Sequence, residues 1–455
     1  MAVWNLTELS SVTLFDRIDG EHYLPEYISN QDTLSKIETA SLPQWFLVSD
    51  GNHLSVSKHF SDSGEIPYFR GQDITDFFLE NANPIRIPKR IYETPMMQRS
   101  HFHTGDVLLS IVGTIGSLSV VPETIGAATG SCKIAILRSK GECSPFVLAA
   151  FLISKYGQLQ IKRNTRGAVQ MGLILKDLSR IRVPNFPDFQ QADIEALIKQ
   201  SISANRQSKT LYTQAQQLLE AGLGLDKLCF DKPVGYTARF STVGLSETFF
   251  AKRIDSQCFA PDALFYERWL RSHVRCDRLG KLLHSTAKGH QQAEFPRGNC
   301  DYCSIKHISG RELVGVSQCL LGVDTPVAGM DDLLLAITGA TIGKIGIVKR
   351  YTRLAFSGDL LMLRAKSEIN PNYLLLALDH RIGQVQLFRW ITGSTNGHLA
   401  PRDAGRVLVP RLDESIEEKI AQLVEKSLSR RLESEQLLNQ AKTRVEQLIE
   451  EAVKS

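Results

Sequence analysis

Apolar and polar positions change rhythm twice along this chain, each time behind a proline. Ahead of Pro184 and of Pro410 the apolar residues fall in short runs bounded by Gly, Pro and Asp, the signature of strands. Behind each proline they recur at alternating spacings of four and three, the signature of a long helix with one buried stripe. The first stripe reads Leu197, Ser201, Ala204, Ser208, Leu211, Ala215, Leu218 and Gly222, widened by Ile194, Ile198, Ile202, Tyr212 and Leu219. The second reads Leu423, Ser427, Arg430, Ser434, Leu437, Ala441, Arg444 and Leu448, widened by Ile420, Val424, Leu438 and Val445. Seams this rich in small and polar members make poor solitary helices, so the two are predicted to pack on each other as a coiled coil. At 1.5 Å per residue, Gln190 to Ala221 extends roughly 48 Å and Glu414 to Val453 roughly 60 Å.

Within the segments ahead of the prolines, strands are predicted at Ile66–Arg70, Asp106–Val112, Leu118–Val121, Cys132–Leu137 and Arg180–Val183. A helix is predicted at Pro145–Gln160 and another at Pro371–Gln386. Ser144 and Asn370 stand at their N-caps and a proline at each first position.

The two halves match residue by residue at an offset of 226 to 236 positions. Asp16-Arg17-Ile18-Asp19 returns as Lys252-Arg253-Ile254-Asp255, and Asp106 to Gly113 returns as Asp332 to Gly339. Pro145, Gly157, Gln158, Gly167, Asp177 and Pro184 return as Pro371, Gly383, Gln384, Gly393, Asp403 and Pro410. A period above 200 residues is a whole domain with its connector, not a solenoid repeat. The expected fold class is therefore α+β: two similar mixed α/β domains, related by an internal repeat and separated by two long antiparallel coiled-coil helices. The expected bounds are 1–188 and 236–412 for the domains, 189–222 and 413–455 for the helices, and 223–235 for a linker.

With 455 residues and 43% hydrophobic content the chain can bury two sizeable cores. Its net charge of +4 is mild, but residues 1–85 carry 4 Lys/Arg against 13 Asp/Glu while residues 86–182 carry 14 against 5, and residues 278–411 carry 17 against 10. Each copy thus has a basic part able to seat a polyanion. No apolar stretch has the roughly 18 to 20 residues that span a bilayer, and Met1-Ala-Val-Trp-Asn lacks the features of a secretion signal, so a cytoplasmic protein with mostly free thiols is expected.

Three motifs bear on chemistry. Cys300-Asp-Tyr-Cys303 opens like a zinc site but has no second close pair, so no metal is expected. Gly339-Ala-Thr-Ile-Gly343-Lys344 is one residue short of a phosphate-binding loop and has Ile345 where a hydroxyl would hold magnesium, so it reads as a glycine turn. Asn370-Pro-Asn-Tyr373 lies one residue from a methyltransferase motif and reads as a helix start. Neither a nuclease-like carboxylate cluster nor a nucleophile–base grouping is evident. The expectation is a non-catalytic chain with no cofactor of its own.

Side chains suited to nucleic acid lie in segments that differ between the copies. The first copy offers Lys89, Arg90, Arg99, His101 and His103, then Arg163, Arg166 and Gln170. The second offers Lys288, His290, Arg297, Lys306 and Arg311, then Arg389, Thr392, Ser394, Asn396 and His398. Arginine and lysine pair with guanine edges or phosphates, and asparagine and glutamine with adenine.

Ile66-Pro-Tyr-Phe-Arg70-Gly-Gln-Asp-Ile74, Gly105 to Gly113, and Gly167 to Pro184 followed by Gln190 and a long helix resemble the specificity subunits of type I restriction-modification systems. The duplicated domain–helix–domain–helix order carries the resemblance over nearly the whole chain. It implies two domains, Arg70 among their contacts, each reading one half of a split double-stranded DNA target in the major groove. It further implies two modification methyltransferase subunits as partners, which bring S-adenosylmethionine, and a restriction motor subunit able to join them. In the second copy Cys300 to Lys306 replaces the Ile-Pro-Tyr-Phe-Arg-Gly-Gln string, and Thr392 to Asn396 replaces Arg166 to Gln170, which implies unrelated half-sites. The alternative is a non-catalytic assembly protein of another defence complex that grips protein partners.

Overall fold

The computed structural model describes residues 17, 19–74, 77–79, 82–167, 171–225, 228, 230, 233, 235, 237, 255–295, 297–393 and 396–454. Asp16, Ile18 and Lys252 to Ile254 of the opening repeat, and most of the expected linker, lie outside them. The chain divides into two units, the first formed by Met1–Asn205 with Leu432–Ser455 and the second by Arg206–Arg431. Each long helix therefore contributes one half to each unit. They run Asp188–Leu223 (the central helix) and Glu414–Lys454 (the C-terminal helix).

Unit 1 contains α1 (Pro25–Ser35), β1 (Thr39–Ser41), β2 (Phe46–Asp50), β3 (Ile66–Phe69), β4 (Ile85–Ile87), β5 (Val107–Ser110), β6 (Leu118–Val120), β7 (Thr129–Gly130), β8 (Ile134–Ser139), α2 (Pro145–Ile153), α3 (Lys155–Asn164) and β9 (Arg182–Pro184). The larger sheet has the order β2-β8-β5-β6 and is antiparallel throughout. A smaller sheet, β4-β3-β7, pairs β3 with β7 in parallel. Strand β5 is apolar at consecutive positions because both its faces are covered. Val107 and Leu109 join α2 and the long helices in one core, while Leu108, with Ile134 and Ile136, meets Phe69 and Phe102 in another. Strands stack as layers here and do not curl around a single core.

Unit 2 repeats this plan with β10 (Cys276–Arg278), β11 (Leu283–Lys288), β12 (Cys300–Cys303), β13 (Ile308–Ser309), β14 (Glu312–Leu313), β15 (Ser317–Cys319), β16 (Val327–Ala328), β17 (Leu333–Ala336), β18 (Ile345–Ile347), β19 (Leu354–Phe356), β20 (Leu360–Ala365) and β21 (Leu408–Pro410). Its helices include α4 (Pro261–His273), α5 (Pro371–Asp379) and α6 (Arg381–Arg389). The order β11-β20-β17-β18 matches the larger sheet of unit 1, and β12 runs parallel to β19 as β3 does to β7. Leu333 and Leu335 face the helical core and Leu334 and Ala336 the second one.

The predicted helix at Pro145–Gln160 is two helices, and so is its twin. Ser154 and His380 adopt extended backbone between them (ψ 163° and 153°) and cap the second helix of each pair. Gly157 and Gly383 sit just beyond the elbow. A Cβ on Gly157 would lie 2.2 Å from the Phe151 carbonyl oxygen, and one on Gly383 would lie 2.3 Å from that of Ala377. Only glycine allows the two backbones this close.

Both long helices bury their stripes, in a register one residue along from the predicted one at alternate positions. On the central helix Ile194, Ile198, Ser201, Asn205, Ser208, Tyr212, Ala215 and Leu219 are buried, whereas Leu197, Leu211 and Leu218 are half-buried and Gly222 is exposed. On the C-terminal helix Arg430 is exposed, and Ile420, Val424, Ser427, Ser434, Ala441, Val445 and Leu448 are buried. Most residues read as widening the stripe, Ile194, Ile198, Tyr212, Leu219, Ile420, Val424 and Val445, lie at its centre, whereas Ile202 and Leu438 are half-buried and Ala204 is buried as predicted. Inside unit 1 Ser201 meets Ser434, and inside unit 2 Ser208 meets Ser427, with hydroxyl oxygens 3.1 Å apart in both.

Candidate nucleic-acid interface

Each unit builds the same seat beside the larger sheet. In unit 1 the turn after β5 has two left-handed glycines, Gly113 (φ 89°) and Gly116 (φ 88°), conformations other residues rarely adopt. The Gln158 amide donates to the Gly116 carbonyl at 3.0 Å and to the Leu152 carbonyl at 2.8 Å. In unit 2 Gln384 donates to Gly343 at 3.0 Å and to Leu378 at 2.8 Å, with Gly339 at φ 70° and Gly343 at φ 93°. The glycine run before Lys344 is thus occupied by a glutamine amide, as a turn and not as a phosphate cradle. At the opposite end of the strand that leads into each turn, a buried aspartate holds an arginine of the neighbouring strand in two-point fashion. Arg138 meets Asp106 at 2.8 Å from both Nε and Nη2, and Arg364 meets Asp332 at 2.9 and 2.6 Å.

Against each turn lies a loop that the structure pins at both ends. In unit 1 the Arg166 and Gly172 backbones exchange bonds at 2.9 and 2.8 Å, and Gly172 also bridges Val112. In unit 2 Thr392 and His398 do the same at 2.8 and 2.7 Å, and His398 bridges Thr338. The ends are fixed by backbone, so the intervening side chains are free to differ between the units. Arg166 is 37% exposed and pairs at 2.5 Å with Asp177, which is buried. Thr392 and Asn396 are exposed and His398 is half-buried. Gln170 and Ser394 lie outside the described residues.

Arg70 adjoins the unit 1 turn, since the Gly71 carbonyl accepts from the Thr114 hydroxyl at 3.0 Å and the Ser110 hydroxyl at 3.2 Å. Its guanidinium chelates Asp73 at 3.0 and 2.9 Å, which raises its already high pKa and fixes its direction. On the smaller sheet side, Lys89, Arg90, Arg99 and His103 are exposed. Arg99 and His53 share the Asp50 carboxylate, and His101 stacks on Tyr92 with ring centroids 3.7 Å apart. Tyr92 and His53 extend this patch, and nothing in the sequence singles them out. In unit 2 Lys288, His290 and Arg297 are exposed, and Lys306 pairs with Glu294 at 2.7 Å.

Three predicted contact residues do other work. Arg163 and its repeat partner Arg389 are buried. Arg163 donates from Nε to the His22 carbonyl at 3.1 Å and from Nη1 to Gln31 at 2.5 Å, and burial pulls its pKa down. Arg389 donates from Nε to the Cys258 carbonyl at 2.7 Å and pairs with Glu267. Each ties the segment just ahead of α1 or α4 to the end of α3 or α6. Arg311, at φ 75° in the β13–β14 turn, lies 3.6 Å from the Tyr212 ring centroid and donates to Asp379 at 2.5 Å, where the Tyr212 hydroxyl also donates at 2.7 Å. It clamps that hairpin to the central helix.

Cys300 stands opposite Cys319 across β12 and β15, while Cys303 faces a different core, where burial pushes its thiol up to about 12. Among the described residues, no group of three potential ligands could hold a metal. No described helix is long and apolar enough to cross a membrane.

No family model and no curated protein matches the chain. Among solved structures, the S subunit of a type I restriction-modification system from M. genitalium is 13% identical, covers 92% of this chain and 95% of its own, and has a TM-score of 0.40. An HsdS subunit from Thermoanaerobacter tengcongensis is 14% identical, with coverages of 90% and 95% and a TM-score of 0.29. The type IIG restriction endonuclease BpuSI is 12% identical over 41% of this chain and 29% of its own, with a TM-score of 0.30. Likenesses this distant bear no functional weight, which rests on the seats and loops described above.

Proposed function

We propose that this chain is the DNA-specificity subunit of a type I restriction-modification complex, acting in the cytoplasm and without a catalytic site of its own. Each unit reads one half of a bipartite duplex target in the major groove. The two long helices fix the spacing between the halves, and the chain scaffolds two adenine methyltransferase subunits that bring S-adenosylmethionine and flip the target base. The same assembly leaves room for a restriction subunit to join.

The observation that carries this reading is the contrast between seat and loop. The glycine turn and the glutamine that holds it recur in both units, with amide bonds of the same lengths, while the loops against them carry Arg166 in one unit and Thr392, Asn396 and His398 in the other. A duplicated scaffold presenting unlike polar side chains suits the reading of two different sequences. A protein gripping two copies of one partner would keep its contact residues alike.

The test mixes the purified chain with its methyltransferase and maps methylated adenines. Methylation at a single two-part motif, absent without this chain, is the expected result. Methylation that is the same without it would remove the proposal.

A further inference from the structure

Unit 2 carries a cleft that the proposed base-reading loops do not account for. It has a volume of about 610 Å³, and Arg278, His284, Ser285, Thr286, Arg402 and Arg406 line it, with no carboxylate among the lining residues. Arg278, His284 and Arg402 are exposed. Arg406 is held in place, its Nε 3.0 Å from Asp403 and its guanidinium 5.1 Å from the Trp390 ring centroid.

This cleft is built on a departure from the repeat. Pairing of β11 with β20 shifts register between Leu283 and Ser285, which makes His284 an extra residue, whereas β2 and β8 pair without a shift from Phe46 opposite Ser139 to Asp50 opposite Ala135. A bulge of this kind re-aims a side chain and recurs beside functional sites. Ser41, facing Arg182, holds the place that Arg278, facing Leu408, holds in unit 2. Lys176 and Arg180 stand at the positions of Arg402 and Arg406. Unit 2 has thus gained a histidine, and it carries on β10 an arginine that unit 1 carries on the facing strand as Arg182.

We infer that this cleft seats the phosphodiester backbone of duplex DNA, gripping phosphate oxygens without reading bases. Guanidinium forks with adjacent hydroxyls match phosphate geometry. Arg402 lies four residues beyond His398, so the cleft follows directly on the loop assigned to base contact. The inference rests on the proposed DNA-binding role and adds to it a backbone contact in unit 2 whose histidine has no counterpart in unit 1.

The experiment measures binding of the full chain to a random-sequence duplex and to its methylation-motif duplex across a range of salt. In Arg278→Ala/Arg402→Ala the slope of log affinity against log salt is expected to flatten by about 1.8, at about 0.9 per phosphate contact, to the same extent for both duplexes. Arg278→Lys/Arg402→Lys should keep the slope. Arg402→Gln alone, at an exposed position, should flatten it by about 0.9. A double variant that melts like wild type, binds DNA and keeps the full slope overturns the inference and leaves the proposed function standing. Loss confined to the motif duplex overturns it too, since the arginines would then read bases. So does an unchanged slope with lost binding of poly-glutamate, which would make the cleft a protein seat. Wild-type chain that binds no duplex at any salt overturns both.

Discussion

Ser201 and Ser434 exchange hydrogen bonds, each hydroxyl donating to the other residue's carbonyl, at 2.7 Å and 2.8 Å. A hydroxyl reaching a carbonyl on a neighbouring helix requires backbones closer than leucine-lined seams permit, which is why the stripe is written in small residues. Ser201→Leu should therefore overpack the seam and cost about 1–3 kcal/mol. Leu211→Asp, at a half-buried position, should cost less than Tyr212→Asp, which also strips Asp379 of its phenol donor and Arg311 of the ring it covers. Thermal melting of the full chain ranks the three, and an equal loss for Leu211→Asp and Tyr212→Asp would contradict the observed register.

Arg163 and Arg166 lie three residues apart and should fail in opposite ways. Arg163→Ala takes a charged donor from the buried His22 carbonyl and should lower stability by about 1–3 kcal/mol in urea unfolding, with no change in the salt slope of DNA binding. Arg166→Ala should weaken binding by about 1–3 kcal/mol and relax specificity only in the half-site read by unit 1. Equal loss at both halves would remove Arg166 from the interface.

The contrast between these two arginines marks how far the sequence could be read. The repeat, the strands and the long helices were legible because they are periodic. So were Gly157 and Gln158, although as anchors of the repeat and not as the elbow and seat they prove to be. The burial of Arg163 was not legible, since the carbonyl that receives its Nε belongs to His22, 141 positions away. The same holds for Arg311, whose partners Tyr212 and Asp379 come from two distant helices. The break at Ser154 was hidden because a serine within an apolar helical run signals nothing until the backbone beside Gly157 is seen to approach Phe151. For the candidate interface, the sequence found the loops but not the pins at their ends, which are backbone bonds.

Unit 1 should weaken in mild acid through His22. Burial lowers its pKa from 6.5 to about 4, while its ring Nδ1 lies 2.9 Å from the Arg163 carbonyl oxygen. Because the folded value lies below the unfolded one, the unfolded chain takes up the proton first. Stability is full above pH 6.5 and is lost as pH falls toward 4. At pH 5 the loss should be about 2 kcal/mol relative to pH 7. Urea midpoints at the two values for wild type and His22→Gln check it, and a wild-type loss no greater than that of the variant would rule His22 out as the cause.

Alanine at Gly157 or Gly383 should be more damaging than its one added methyl suggests. The new Cβ on Gly157 would meet the Phe151 carbonyl oxygen at 2.2 Å and Leu152 Cα at 2.7 Å, and the one on Gly383 would meet the Ala377 carbonyl oxygen at 2.3 Å and Leu378 Cα at 2.7 Å. These are backbone atoms, so relief means parting α2 from α3, or α5 from α6, and the glutamine next in sequence then leaves its seat on the glycine turn. Each substitution should cost about 2–3 kcal/mol, at the upper end of ordinary single changes. Gly20→Ala, with no atom within 4 Å of the added carbon, should stay within about 0.5 kcal/mol of wild type. Because Gln158 and Gln384 position the turns against which loops 166–172 and 392–398 are pinned, each elbow variant should also weaken DNA binding in its own half-site. An elbow variant that melts early yet reads both halves with full affinity would separate the seat from the interface.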